Sequence, residues 1–171
     1  MATLLLIVIL AVCVVTDIRS RKIYNAVLFP ALGAAFLISS VTDGAAGFLD
    51  SLAGFGLGFA ILLIPYFMGG MGAGDVKLLA VIGAVKGPVF VANTSIYMAL
   101  AGGVMALFIM LFRRGAFRRL SAILYFFTAR KSGVNMPLLL DKSNLSGTYP
   151  YGVAIAAGAV ISLLWKEGMM L

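Results

Sequence analysis

Apolar residues run almost unbroken through positions 4–15, 26–41, 48–67, 78–85, 89–112 and 153–165, with short polar segments between the runs. Lipid offers the backbone no hydrogen bonds, so runs of this kind satisfy their peptide groups internally as helices, and about 20 apolar residues suffice to cross a bilayer. The pattern predicts an all-α membrane protein, a polytopic bundle of about six transmembrane helices in a single transmembrane domain over residues 1–171.

Two runs need closer reading. As one helix, residues 76–112 would extend roughly 55 Å, against a hydrocarbon core of about 30 Å. A break is therefore expected at Lys86-Gly87-Pro88, leaving a short fourth span that begins near Gly74. No basic residue precedes the first run, and no small-residue cleavage site separates it from the polar segment 17–22, so it is expected to be a retained span rather than a signal peptide. The longest polar stretch, 113–148, carries Phe117, Leu120, Ile123, Leu124 and Phe127 at helical spacing among Arg114, Arg118, Arg119 and Arg130. It predicts an amphipathic helix lying in the interface, followed by a loop over 134–147 with Pro137, Asn144 and Gly147 as breakers.

Composition agrees: 63% of the 171 residues are hydrophobic and 11% charged. The formal charge of +7 could suggest nucleic acid. The basic residues, however, sit in short loops between apolar runs, where they meet membrane lipids and fix orientation, so no nucleic-acid partner is expected. With the N-terminus outside, the cytoplasmic segments hold eleven of them, Arg19, Arg21, Lys22, Lys77, Arg113, Arg114, Arg118, Arg119, Arg130, Lys131 and Lys142, and the far side only Lys86 and Lys166. The polar edges near Asp17 and Asp75 then face the cytoplasm.

The chain has one cysteine, Cys13, and no histidine. That inventory excludes an internal disulfide, a Cys-x-x-Cys zinc site, histidine-ligated metal and nucleophiles activated by histidine. Cys13 reads as a small buried apolar residue. No metal and no cofactor are called for.

Six acidic residues remain, and water contact explains Asp43, Asp50, Asp141 and Glu167. Asp17 ends an apolar run on the last turns of the first helix, a costly place for a carboxylate. Pairing with Arg19, Arg21 or Lys22 would account for it equally well. Asp75 changes the balance, because Gly69-Gly70-Met71-Gly72-Ala73-Gly74 leads into it at a second membrane boundary. Such a loop can bend sharply and admit an extended peptide beside the carboxylate. Two close carboxylates share a proton: the ionised one activates water and the protonated one polarises the scissile carbonyl. Gly72 and Gly74 are expected to shape the loop, and Gly69 and Gly70 to permit flexibility. Lys77, with Arg19, Arg21 and Lys22, is expected to contact lipid headgroups or substrate. Gly54, Gly58, Gly102 and Gly103 suit close helix packing.

Gly72-Ala73-Gly74-Asp75 matches the GxGD signature of membrane aspartyl proteases, and its continuation Val76-Lys77-Leu78-Leu79-Ala80 resembles the type IV prepilin peptidase family. Asp17-Ile18-Arg19-Ser20-Arg21-Lys22-Ile23-Tyr24-Asn25 is similar to that family's first-aspartate segment, with Tyr24 in place of the usual proline. Tyr149-Pro150-Tyr151-Gly152-Val153-Ala154 resembles the opening of its last span. The resemblance implies an aspartic endopeptidase with Asp17 and Asp75 catalytic. Its implied substrate is a prepilin, pseudopilin or preflagellin-like precursor, which loses its short basic leader at the cytoplasmic face of the inner membrane. The chain opens directly on its first span and lacks paired cysteines, so it resembles the minimal peptidase-only members that serve Flp-type tight-adherence pili and preflagellins, and no methyltransferase activity is expected. The alternative is a small ion or proton-coupled transporter that uses intramembrane aspartates.

Overall fold

The computed structural model describes residues 1–112 and 151–168, and among these the only regular structure is helical. The amphipathic helix and loop expected within 113–148 lie outside the described residues. The described residues form five helices: α1 (Ala2–Ser20), α2 (Asn25–Phe67), α3 (Ala73–Lys86), α4 (Pro88–Phe112) and α5 (Tyr151–Gly168). Contacts group the chain into Met1–Gly102 with Tyr149–Leu171, and a second unit, Gly103–Thr148, whose described part (103–112) is helical.

The 43 residues of α2 are one helix only in hydrogen bonding. Gly44, at φ 62 and ψ −141, interrupts the helical backbone with a conformation open to glycine but not to residues with a Cβ. Phe36 and Phe55, 19 positions apart, would be separated by about 28 Å along a straight helix. Their ring centroids lie 6.3 Å apart, and Phe36 also meets Phe48 at 5.4 Å. The chain therefore reverses at Gly44, and α2 is a helical hairpin with limbs 25–43 and 45–67. The sequence left a short polar segment between the runs 26–41 and 48–67; the reversal needs little more than the one glycine.

Among the described residues three helices, Ala2–Ser20, Asn25–Phe67 and Pro88–Met105, are long and apolar enough to span a bilayer. The protein is a multi-pass membrane protein. The expected six crossings are not all met by that measure, because α3 has only 14 residues and the apolar part of α5, Tyr151–Trp165, is also short.

The core forms around α3. Asp75, Val76 and every residue from Leu78 to Val85 are buried, so this helix is enclosed on all sides, as an apolar helix without an amphipathic stripe must be. The second limb of α2 lies directly against it. A Cβ on Gly54 would collide with the Gly83 carbonyl oxygen, a Cβ on Gly83 with that of Gly54, and a Cβ on Gly58 would come within 2.6 Å of the Leu79 oxygen. Backbone thus touches backbone, and Ser51 Oγ donates to the Ala84 carbonyl across the same seam at 2.5 Å. The packing role expected of Gly54 and Gly58 is met. Gly102 and Gly103 do not share it: a Cβ on Gly102 would make only ordinary contact with Ala154, and one on Gly103 would meet nothing.

The break near residue 87 occurs where expected. Gly87 has φ 83 and its N–H donates to the Gly83 carbonyl, ending α3, and Pro88 opens α4, where its missing N–H costs nothing. Lys86 Nζ donates to Thr3 Oγ1 at 2.6 Å, and Asp50 presses on Gly87. Thr3, Asp50 and Lys86 therefore share one end of the bundle, and the chain from there returns Asp17 and Asp75 to the other.

Candidate active site

Asp17 comes from the last full turn of α1. The buried residues of that helix, Leu6, Ile9, Leu10, Cys13 and Asp17, recur at intervals of three and four, so the carboxylate continues the face that packs inward. Asp17 is 5% exposed. The helix ends just beyond it, where Arg21 takes the left-handed conformation (φ 50) and donates its N–H to the Asp17 carbonyl at 2.9 Å.

Asp75 comes from the first turn of α3 and is 9% exposed. The glycine run before it divides its work. At the end of α2, Gly69 adopts φ 75, its N–H donates to the Tyr66 carbonyl (2.9 Å), and the Gly70 N–H donates to that of Pro65 (3.0 Å). Those two bonds and the left-handed glycine form a Schellman termination. Gly72 then caps α3 from an extended conformation (φ −82, ψ 151), and its N–H donates to Asp75 Oδ2 at 3.2 Å. Gly69, expected only to be flexible, is thus the position that requires glycine's backbone freedom, whereas Gly72 has an ordinary φ.

Gly74 acts by its size. A Cβ there would stand 3.0 Å from Cβ of Ile23, in the linker between α1 and α2. The close approach seats residues 21–24 beside the first turn of α3 and so brings the end of α1 to Asp75. Tyr24, which stands where the resemblance expects proline, has φ −84 and ψ 130 as the N-cap of α2, a conformation near the one proline favours. The two carboxylates lie within reach of each other's charge.

The third contributor is the start of α5. The N–H groups of Gly152 and Val153 face the Asp17 carboxylate, although Asp17 Oδ2 is buried and completes no hydrogen bond of good geometry. A Cβ on Gly152 would lie 2.6 Å from that oxygen and 3.0 Å from Cγ. Sequence reading gave Gly152 no role at the site; its place in the third resembling motif was the available signal.

Of the basic residues named from the sequence, Arg19 in the last turn of α1 and Arg21 and Lys22 just after it are exposed. Lys77 is engaged within the protein: Nζ donates to Asn25 Oδ1 at 3.0 Å and lies 5.8 Å from the centre of the Phe29 ring. It ties α3 to the start of α2, a job that spacing from Asp75 could not reveal. Among the described residues no group of three His, Cys, Asp or Glu side chains could hold a metal ion.

The described helices thus form a membrane protein with two buried aspartates at one end, one of them behind a glycine turn. Comparison narrows the class. The type IV leader peptidase family matches residues 4–111, and the chain belongs to that family. It is 32% identical over 164 residues to the prepilin leader peptidase/N-methyltransferase of Bacillus subtilis (strain 168), covering 94% of this chain and 54% of the relative, so the chain spans about half that protein's length. No solved structure matches it.

Proposed function

We propose that the protein is an aspartic endopeptidase that removes the short basic leader from prepilin-like precursors, with Asp17 and Asp75 as its catalytic pair. The observation that carries this reading is that two buried carboxylates, from α1 and α3, lie within reach of each other's charge at one end of a chain of this family. One carboxylate, ionised, takes a proton from water as the water attacks the scissile carbonyl. The other, protonated, gives its proton to the developing oxyanion; as the tetrahedral intermediate collapses it takes a proton back from that hydroxyl, while the first passes the proton it took from water to the leaving amine. Neither a metal nor a covalent intermediate enters this scheme.

Burial supports the shared proton, since two carboxylates out of water cannot both ionise cheaply. Arg19, Arg21, Lys22 and Lys77 lie at the aspartate end, and Lys86 marks the opposite end. By the positive-inside rule that distribution turns the site towards the cytoplasm of the inner membrane, where a precursor's basic leader lies while its apolar helix remains in lipid.

The test is cleavage by the purified protein in detergent of a prepilin-like precursor from the same genome. A leader-sized shift on a gel, with the new N-terminus at the leader boundary, is the expected result. Folded protein that leaves every such precursor intact, yet carries ions across a proteoliposome membrane, would replace the peptidase reading with the transporter.

A further inference from the structure

The first turn of α5 has backbone N–H groups with no partner inside the helix, as every helix start does. Two of them, from Gly152 and Val153, are turned towards Asp17. Asp17 is more than nine-tenths buried, and its Oδ2 completes no hydrogen bond of good geometry, so it stands unpartnered beside that helix start. The approach is tight in a way the other site glycines are not. At Gly74 an added Cβ would stand 3.0 Å from Cβ of Ile23, and at Gly72 3.3 Å from Asp75 Oδ2, whereas at Gly152 it would enter the Asp17 carboxylate itself, with Oδ2 at 2.6 Å, Cγ at 3.0 Å and Cβ at 3.2 Å. The carboxylate is short and its Cβ is fixed by α1, so it has nowhere to retreat except by rotating away from Asp75 or pushing α5 outward.

We infer that Gly152 is a positioning residue for the proposed dyad: its missing Cβ lets the start of α5 lie against Asp17, and the Gly152 and Val153 N–H groups aim that carboxylate at the reacting water. The inference rests on the peptidase reading. Asp75 is aimed in the same manner by the Gly72 N–H at the start of its own helix, so each carboxylate is oriented by a helix start. Such donors favour a carboxylate oxygen at a fixed place without adding a competing side-chain charge. A displacement of about 1 Å between catalytic group and substrate is enough to cost about 100-fold in rate.

The experiment compares wild type, Gly152→Ala and Val153→Pro in the detergent cleavage assay. It also measures binding of a peptide carrying a statine-type secondary alcohol at the cleavage position, which mimics the tetrahedral intermediate. Val153→Pro removes one N–H and adds nothing at Gly152, and proline is tolerated in a first helical turn. Gly152→Ala should lose about 100-fold in kcat with KM unchanged, and its affinity for the alcohol peptide should fall by a similar factor, because only interactions made in the transition state are lost. Val153→Pro should lose about 10-fold in both. A folded Gly152→Ala protein with wild-type kcat would overturn the inference. So would a kcat loss without weaker binding of the alcohol peptide, because a merely smaller folded fraction leaves that affinity unchanged. If Gly152→Ala does not fold, Val153→Pro decides alone: reduced kcat and weaker alcohol-peptide binding uphold the inference, and wild-type values overturn it. Wild type inactive on every precursor would overturn the peptidase reading and this inference with it, whereas active wild type beside indifferent variants overturns this one only.

Discussion

Lys77 shows how a residue's neighbours in space can outweigh its neighbours in sequence. Its separation from Asp75 predicts that it points away from the carboxylate, and its Nζ reaches Asn25 and the Phe29 ring, two neighbours that spacing along the chain does not reveal. The pair is exposed, so Lys77→Met should cost less than about 1 kcal/mol of stability. Asn25→Ala should cost a similar amount, and the double variant should lose less than the sum, as a thermal-unfolding double-mutant cycle in detergent would read directly. Asp17 and Asp75 were legible because an ionisable group at the end of an apolar run has few bland explanations. Gly152 was not, because its importance depends on which carboxylate faces it, and 134 intervening residues separate it from Asp17 in the chain. Gly69 was misread for a related reason: which glycine of a run takes positive φ is decided by where the preceding helix stops.

At the scale of elements, the seam between α2 and α3 fixes where Asp75 stands. Gly54 and Gly83 meet backbone to backbone, and Gly58 meets Leu79 in the same way one turn along. Alanine at Gly54 or Gly83 cannot fit without parting the helices, so each substitution should destabilise the protein by about 1–3 kcal/mol. Gly103→Ala, facing open space, should be neutral or slightly stabilising through helix propensity. Thermal unfolding of the three variants in one detergent checks the contrast, and equal losses at Gly54, Gly83 and Gly103 would contradict this account of the seam. The break at Gly87-Pro88 could be read from sequence because bilayer thickness limits helix length. The reversal at Gly44 was only half legible: hydropathy marks a polar interval, but not that it collapses to a single non-helical residue.

For the whole molecule, the alternation of helices returns both aspartates to one end, beside Arg19, Arg21 and Lys22, and sets Thr3, Asp50 and Lys86 at the other. Apolar runs made this alternation visible in the sequence and charge assigned its sides, and the Lys86–Thr3 and Lys77–Asn25 hydrogen bonds lie at its two ends. With the proposed orientation, a cysteine introduced by Lys22→Cys should react with a membrane-impermeant maleimide only after the cytoplasmic side is opened, and one from Thr42→Cys in intact spheroplasts. The reverse labelling pattern would turn the site to the wrong side for a leader peptidase. The central claim, that Asp17 and Asp75 act as one catalytic unit, is met most directly by the cleavage rates of Asp17→Asn, Asp75→Asn and the double variant on a prepilin-like precursor. Each single variant should lose at least about 1,000-fold, the middle of the range for removing a general acid or base, and the double variant should be scarcely slower than either, because the two groups serve one step. Near-wild-type cleavage by either folded single variant would contradict the claim.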